Sequence, residues 1–194
     1  MSSQKELSVI FVVYGVMQFG IIGLGIIQGC LNIDTLSMFN IYILKGIELC
    51  CLFCFEIFCQ KRIKRLSEKT NGKGLIQMWS YLVCVLPILI LIIKLTISFI
   101  NPENEILVIN IVSNIEDISK ILILCVALEA VDKFLGEKNL KLVSTLIVVV
   151  AIFLKYINFF YLKMYIGFEV FLIISNVAGY IFLGKYLSKY RRTI

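Results

Sequence analysis

Histidine is absent from the 194-residue chain, and this absence removes several kinds of site at once. Without imidazole there is no bis-His haem, no His-based zinc site and no Ser–His or Cys–His nucleophile. The GxxxxGK[ST] phosphate loop and the repeated-Asp signature of membrane phosphatidyltransferases are also missing from the sequence. An enzyme built on this chain would therefore need unrecognised Lys/Glu chemistry, and we expect neither catalysis nor a cofactor.

Long polar stretches are scarce as well. Apolar residues make up 60% of the chain, against about 45–50% in soluble domains, and a bilayer needs about 20 consecutive apolar residues per helix. The sequence predicts an all-α fold, a polytopic integral membrane protein formed by one transmembrane domain over residues 1–194. The first apolar stretch is interpreted as a retained span, since it is long for a secretory signal. The bundle of about six transmembrane helices is predicted over 8–30, 38–59, 75–99, 106–130, 142–161 and 166–187.

Basic residues are distributed unequally between the two ends of the predicted spans. Six occur in 60–74, three in 131–141 and four from Lys185 onward, and with Lys5 this side holds fourteen, against Lys163 alone on the other. The positive-inside rule places both termini in the cytoplasm. The predicted location is a bacterial plasma membrane, with the lipid bilayer as the main partner. Nucleic acid is not expected, because basic segments beside membrane spans have this simpler cause.

Eight charged residues lie inside the predicted spans, between the midplane and the outer surface. Each costs about 2.5–3.5 kcal/mol at a helix centre, so they must face one another or a wet cavity. We therefore predict a polar chamber in the outer half of the bilayer that binds a small polar solute or ion. The alternative is a set of structural ion pairs without a ligand. The charged residues are Lys45, Lys94, Lys120, Lys155, Glu48, Glu116, Asp117 and Glu169. The predicted binding residues are Lys45, Glu48, Lys94, Asn114, Asp117, Lys120, Lys155 and Glu169.

Helical spacing predicts which of these charges meet. Lys45 and Glu48 are three residues apart, as are Asp117 and Lys120, so each pair can form on one helix. The remaining two lysines, Lys94 and Lys155, have no acid three or four residues away. Each is predicted to find its counter-charge on another span or on the ligand, which makes these two lysines the best candidates for ligand binding. Pro87 is expected to kink the third span beside the chamber, and Glu56 and Glu129 are expected to reach the cytoplasmic interface.

Glycines and cysteines each allow two interpretations. Gly15, Gly25 and Gly29 share one face of the first span, which suits close packing inside the bundle, docking to a partner membrane subunit or self-association. The seven cysteines include a CxxC inside an apolar helix without an activating neighbour, so we expect small buried apolar side chains. A soft-metal or redox site formed by Cys54, Cys84 and Cys125 is the alternative.

The predicted function is membrane transport, either as a transporter or as its substrate-binding membrane subunit. In size and topology the chain is similar to the substrate-binding membrane subunits of energy-coupling-factor vitamin transporters. The alanine-based docking motif of that family is missing from the first span, so no residue roles are transferred. The alternative is a non-transporting interaction subunit, for immunity, assembly or regulation, whose charges are structural or pair with a partner.

Overall fold

The computed structural model describes the backbone of residues 3–30, 38–66, 68, 70–100, 105–136, 139–160 and 165–189. Side chains are described for residues 3–23, 45–66, 68, 70–93, 96, 111–112, 114–136, 140–155 and 170–189. The regular secondary structure within these ranges is entirely helical.

Each of the six helices in the described chain covers one of the predicted apolar stretches, so the all-helical fold is confirmed. The helices begin and end a few residues away from the apolar runs. Lys and Arg are good helix formers, and α2 therefore continues through Lys61 and Arg62. The helices are α1 Ser3–Cys30, α2 Met38–Ile63, α3 Lys73–Ile100, α4 Glu105–Leu135, α5 Asn139–Phe160 and α6 Tyr165–Lys189.

Five of the helices form a closed ring. Helix α1 packs against α2 and α6, α3 packs against α2 and α4, and α4 contacts α6 to complete the circle. Helix α5 lies outside this ring, against α4 and α6. Among the described residues, α2 and α4 are not backbone neighbours, so the ring has an interior that side chains must fill.

The start of α1, the end of α6 and the α2–α3 and α4–α5 connections lie together at one end of the bundle, called the terminal end. There Glu6 of α1 is almost completely buried and forms ion pairs with two arginines. Arg62 lies in the last turn of α2, and Arg65 lies in the turn that follows this helix. The Asp132 carboxylate of α4 accepts a hydrogen bond from the Leu140 amide at 3.0 Å, which ties the start of α5 to the end of α4. These contacts join neighbouring helices where the chain turns.

Glycines allow α1 and α6 to approach closely. A Cβ on Gly15 would lie 2.9 Å from Cγ1 of Ile181, and one on Gly184 would lie 2.9 Å from the Ser8 carbonyl oxygen and overlap Val12. The Ser8 hydroxyl donates a hydrogen bond to the Gly184 carbonyl at 2.6 Å. Gly15 therefore packs within the bundle, while Gly25 and Gly29 lie outside the described side chains. Partner docking or self-association through this face stays a prediction.

An aromatic cluster fills the ring towards its terminal end. The Trp79 indole N–H donates to the Tyr180 hydroxyl at 3.2 Å, and Tyr14 meets both rings edge-on, with centroids at 5.3 and 4.5 Å. Such tilted and edge-on pairs are favoured by the charge distribution of aromatic rings. The members of the aromatic cluster are Phe11, Tyr14, Phe55, Trp79 and Tyr180.

The outer surface of the bundle is apolar. Phe53, Ile57, Leu142, Ile152 and Phe153 are examples of large hydrophobic side chains that are more than half exposed. Among the described residues, three helical segments are long and apolar enough to cross a bilayer, which indicates a membrane protein. These segments are Ser3–Gly23, Lys73–Ile93 and Val170–Lys189.

Candidate ligand site

A row of four alternating charges crosses the interior of the ring from α2 to α4. Lys45 donates to Glu48 at 2.6 Å, and its Nζ lies 3.9 Å from Oε1 of Glu116. Lys120 completes the row, with its Nζ 3.3 Å from the same Glu116 oxygen. The predicted pairing of Lys45 with Glu48 is confirmed, whereas Lys120 pairs with Glu116 rather than with Asp117. We call these four residues the charge row.

The charge row spans a gap between two helices. Because α2 and α4 are not backbone neighbours in the described chain, only long side chains can connect them across the ring. Lys45 does so by lying between a carboxylate of its own helix and one of α4. The charge row therefore links α2 and α4 through side chains, although the backbones of these two helices are not in contact.

A second ion pair lies behind the row, between α4 and α5. Lys155 Nζ lies 3.3 Å from Oδ2 of Asp117, with side chains 26% and 12% exposed. Of the two predicted sources of its counter-charge, another span or a ligand, Lys155 uses another helix. Asp117 turns to α5 because successive residues on a helix point about 100° apart, and Glu116 then takes the position that faces α2.

A largely enclosed cavity of about 40 Å³ lies beside the charge row on the axis of the ring. In the described part of the chain, all five ring helices contribute to its wall and α5 does not. The polar side chains that line it are Gln18, Glu48, Glu116, Ser119, Lys120 and Asn176. The remaining wall is formed by Tyr14, Leu52, Val83, Leu86, Pro87, Ile90 and Ile123.

Two residues of the cavity wall have distinct structural roles. Tyr14 belongs both to its wall and to the aromatic cluster, so the cluster closes the ring on the terminal side. Pro87 lies in the wall on α3, where it removes one backbone N–H from the helix interior. A volume of about 40 Å³ holds one to a few water molecules. In this conformation the cavity is too small for an organic solute the size of a vitamin.

The structure gathers five of the eight predicted binding residues in one layer. Lys45, Glu48 and Lys120 belong to the charge row, and Asp117 and Lys155 form the pair behind it. Asn114 is exposed on α4 and is not part of the cavity wall. The side chains of Lys94 and Glu169 lie outside the described residues.

Four polar wall residues were not among the predicted binding residues. Glu116 holds the centre of the charge row, and its position four residues before Lys120 is the sequence signal that predicts their pairing. Gln18, Ser119 and Asn176 are uncharged, and an uncharged polar residue in an apolar helix is a weaker signal than a charge. Asn176 is 9% exposed and donates through Nδ2 to the Leu172 carbonyl at 2.9 Å.

Glu56 is half-buried and forms hydrogen bonds with its own helix and with α3. Its Oε1 accepts from Gln60 at 2.6 Å and from Ser80 of α3 at 3.4 Å. Its Oε2 is buried with no hydrogen-bond partner in the described part of the chain. Glu129 is exposed and pairs with Lys133 at 3.4 Å, as expected of a residue near the bundle end.

The cysteines vary in exposure. Cys59 and Cys84 are buried, as expected of small apolar side chains, and the Cys84 thiol donates to the Leu52 carbonyl at 3.0 Å. Cys54 is exposed and Cys125 is half-buried. Cys54 therefore lies on the outer surface of α2.

Comparisons of the chain with protein-family models, curated proteins and solved structures gave no match. The class that the fold itself defines is an all-helical membrane protein with a charged layer inside its helix ring.

Proposed function

We propose that the chain is a six-span protein of the bacterial plasma membrane, with both termini in the cytoplasm. It binds a small polar solute or ion in the cavity beside the charge row, and it acts in membrane transport as a transporter or as its substrate-binding subunit.

The outer surface supports six spans. All six helices expose large apolar side chains, whereas a helix that faces water carries polar residues on its outer side. Helices α2 and α4 are less apolar than α1, α3 and α6 because they carry the charge row. Those charges face the ring interior and one another, which is how ionisable residues are tolerated within a bilayer. Representative outward residues are Val16, Phe53, Ile92, Leu122, Leu146 and Ile174.

The orientation follows from the terminal end. Lys61, Lys64, Lys133, Lys141, Lys185 and Lys189 are exposed there, and such residues are retained on the cytoplasmic side. The aromatic cluster then closes the ring on its cytoplasmic side. The cavity and the charge row lie beyond the cluster, further from the cytoplasm.

The single observation that carries the proposal is the enclosed cavity itself. A bundle that needed charges only for helix register could bury them as tight pairs, yet here Glu48, Glu116 and Lys120 border an internal space. Charged groups inside a membrane domain are costly, and they mark ligand or ion pathways more often than packing devices. A closed cavity beside them fits one state of a site that opens to exchange its ligand.

The test is a melting screen of the purified full-length chain in detergent, against alkali and divalent cations, small anions, amino acids and vitamins. A ligand stabilises the folded form by about 2.7 kcal/mol at a hundred times its dissociation constant, so a binder raises the Tm. We expect a hit that is lost in Gln18→Leu and Glu116→Gln and retained in Lys141→Gln, which alters an exposed lysine at the terminal end. A wild-type Tm that no compound moves contradicts the proposal.

The ion pairs favour a second candidate, a non-transporting interaction subunit. In the described part of the chain, every charge of the Glu48–Lys45–Glu116–Lys120 row and of the Lys155–Asp117 pair has its counter-charge within the same chain. This is expected of charges with a structural role. This candidate predicts a membrane protein that co-purifies stoichiometrically and remains bound in Glu116→Gln. The transport proposal instead predicts a small ligand that this substitution releases.

A further inference from the structure

We infer that the cavity on the ring axis is a site for a dehydrated alkali cation, for which the Lys120 ammonium competes at Glu116. This inference rests on the proposed ligand site and specifies the ligand class. It is drawn from the size of the cavity, its oxygen donors and the position of Lys120.

Size excludes most solutes that a charged chamber attracts. A volume of about 40 Å³ is larger than the share of one water molecule, about 30 Å³, and smaller than an amino acid. An ion that has shed its hydration shell fits without any movement of the helices. Oxygen atoms of the wall then replace the lost water.

The donors suit a hard monovalent cation. Glu48 and Glu116 contribute carboxylate oxygens from α2 and α4, and Gln18, Ser119 and Asn176 add amide and hydroxyl oxygens from three sides. Asn176 uses its Nδ2 for the Leu172 carbonyl, so its amide oxygen is the end that can serve a cation. Hard cations prefer such oxygen ligands. No group of three His, Cys, Asp or Glu residues that could hold a metal ion is present among the described residues, which argues against a transition metal.

Two lysines set the charge of the ligand. The charge row carries two carboxylates and two ammonium groups, so the site is neutral before a cation enters. A neutral site offers no net charge attraction to offset the loss of an ion's hydration shell, and that loss costs far more for a divalent ion than for a monovalent one. A monovalent cation is therefore favoured.

Lys120 is the ammonium that can withdraw. Its side chain is 47% exposed and has one carboxylate within 4 Å, at 3.3 Å, whereas the Lys45 side chain is 24% exposed and lies between two carboxylates. When Lys120 swings away, Glu116 keeps its charge and becomes a ligand for the entering cation. The ion and the lysine thus exchange at one carboxylate.

The experiment measures the Tm of the full-length chain in detergent at constant chloride concentration, while choline is replaced by sodium, potassium or magnesium. We expect sodium or potassium to raise the Tm of the wild type and magnesium to have little effect. Lys120→Met should lower the half-saturating alkali concentration roughly tenfold, since an internal competitor is removed. Gln18→Met, which leaves every charge in place, should raise it, and Lys141→Met should leave it unchanged.

The outcomes separate this inference from the proposed function. If Lys120→Met shows no alkali dependence, or if its half-saturating concentration equals that of the wild type, the cation site is wrong. Stabilisation by an amino acid, a vitamin or an anion without any alkali dependence retains a ligand site and overturns its assignment to a cation. If no ion or solute stabilises the wild type or Lys120→Met, both the inference and the proposed function fail.

Discussion

Lys155 of α5 lies 3.3 Å from Asp117 of α4, and this ion pair attaches the one helix outside the ring to the ring itself. The two residues are 38 positions apart in the chain. Leu140, whose amide is capped by Asp132, anchors the other end of the same helix to α4. Helix α5 is thus held to α4 by polar contacts at two levels, with apolar packing between them.

The Lys155–Asp117 pair predicts a strong non-additive effect on stability. Lys155→Met or Asp117→Asn alone leaves a buried charge without its partner, which costs about 3–5 kcal/mol. The double substitution removes both charges and should cost much less than the sum. The measurement is the free energy of unfolding, or the Tm, of the four chains in detergent.

A matched control is the exposed pair Lys133–Glu129, at 3.4 Å with both side chains about 60% exposed. Lys133→Met should change the free energy of unfolding by at most about 1 kcal/mol, because exposed pairs contribute little. A loss in the double variant of the α4–α5 pair that equals the sum of the two single losses would show that the pair has no coupling.

The Glu6 network at the terminal end predicts a ranking of two arginines. The Arg62 side chain is 22% exposed and that of Arg65 is 58% exposed, although both pair with the same carboxylate. Arg62→Met should therefore lower stability by about 1.5–3 kcal/mol, as for a hydrogen bond to a charged group, and Arg65→Met by less than about 1 kcal/mol. Thermal unfolding of both variants gives the ranking, and the reverse order would contradict the geometry.

The α1–α6 contact predicts that glycine substitutions differ by position. Gly184→Ala introduces a Cβ that overlaps Val12 and approaches the Ser8 carbonyl oxygen, so overpacking should cost about 1–3 kcal/mol. Gly20→Ala and Gly23→Ala are controls on α1, the partner helix of this interface, because a Cβ there has no neighbour within 4 Å. They should retain the wild-type Tm or raise it, since alanine favours a helix by about 1 kcal/mol over glycine. If Gly20→Ala is as damaging as Gly184→Ala, this packing is wrong.

The proposed orientation predicts from which side of the membrane the α2–α3 connection is accessible. Asn71 is exposed beside the start of α3, so Asn71→Cys should react with a membrane-impermeant maleimide only after the cells are permeabilised. Asn104→Cys, in a turn that the distribution of basic residues places outside, should react in intact cells. Labelling is measured as the increase over that of the parent chain, because the parent chain has seven cysteines of its own. Reaction of Asn71→Cys in intact cells reverses the orientation.

Several features of this protein are determined by the sequence alone. The six helices follow from apolar runs of span length. In an apolar environment a single segment can satisfy its backbone hydrogen bonds only by forming a helix. The Lys45–Glu48 pair is equally local, since residues three apart meet on one helix face. The requirement that intramembrane charges be paired or enclosed is likewise set by their cost, before any packing is known.

Which charges meet across helices was decided only by the tertiary structure. Glu116 became the centre of the charge row, and Asp117 turned to Lys155, through the rotation of α4 about its own axis. The sequence does not show this rotation, because the core-facing and outward faces of these helices are both apolar and leave little periodicity to read. The neighbours of each helix are also a long-range property, so the five-helix ring, its enclosed cavity and the place of α5 outside it emerge only when distant segments pack together.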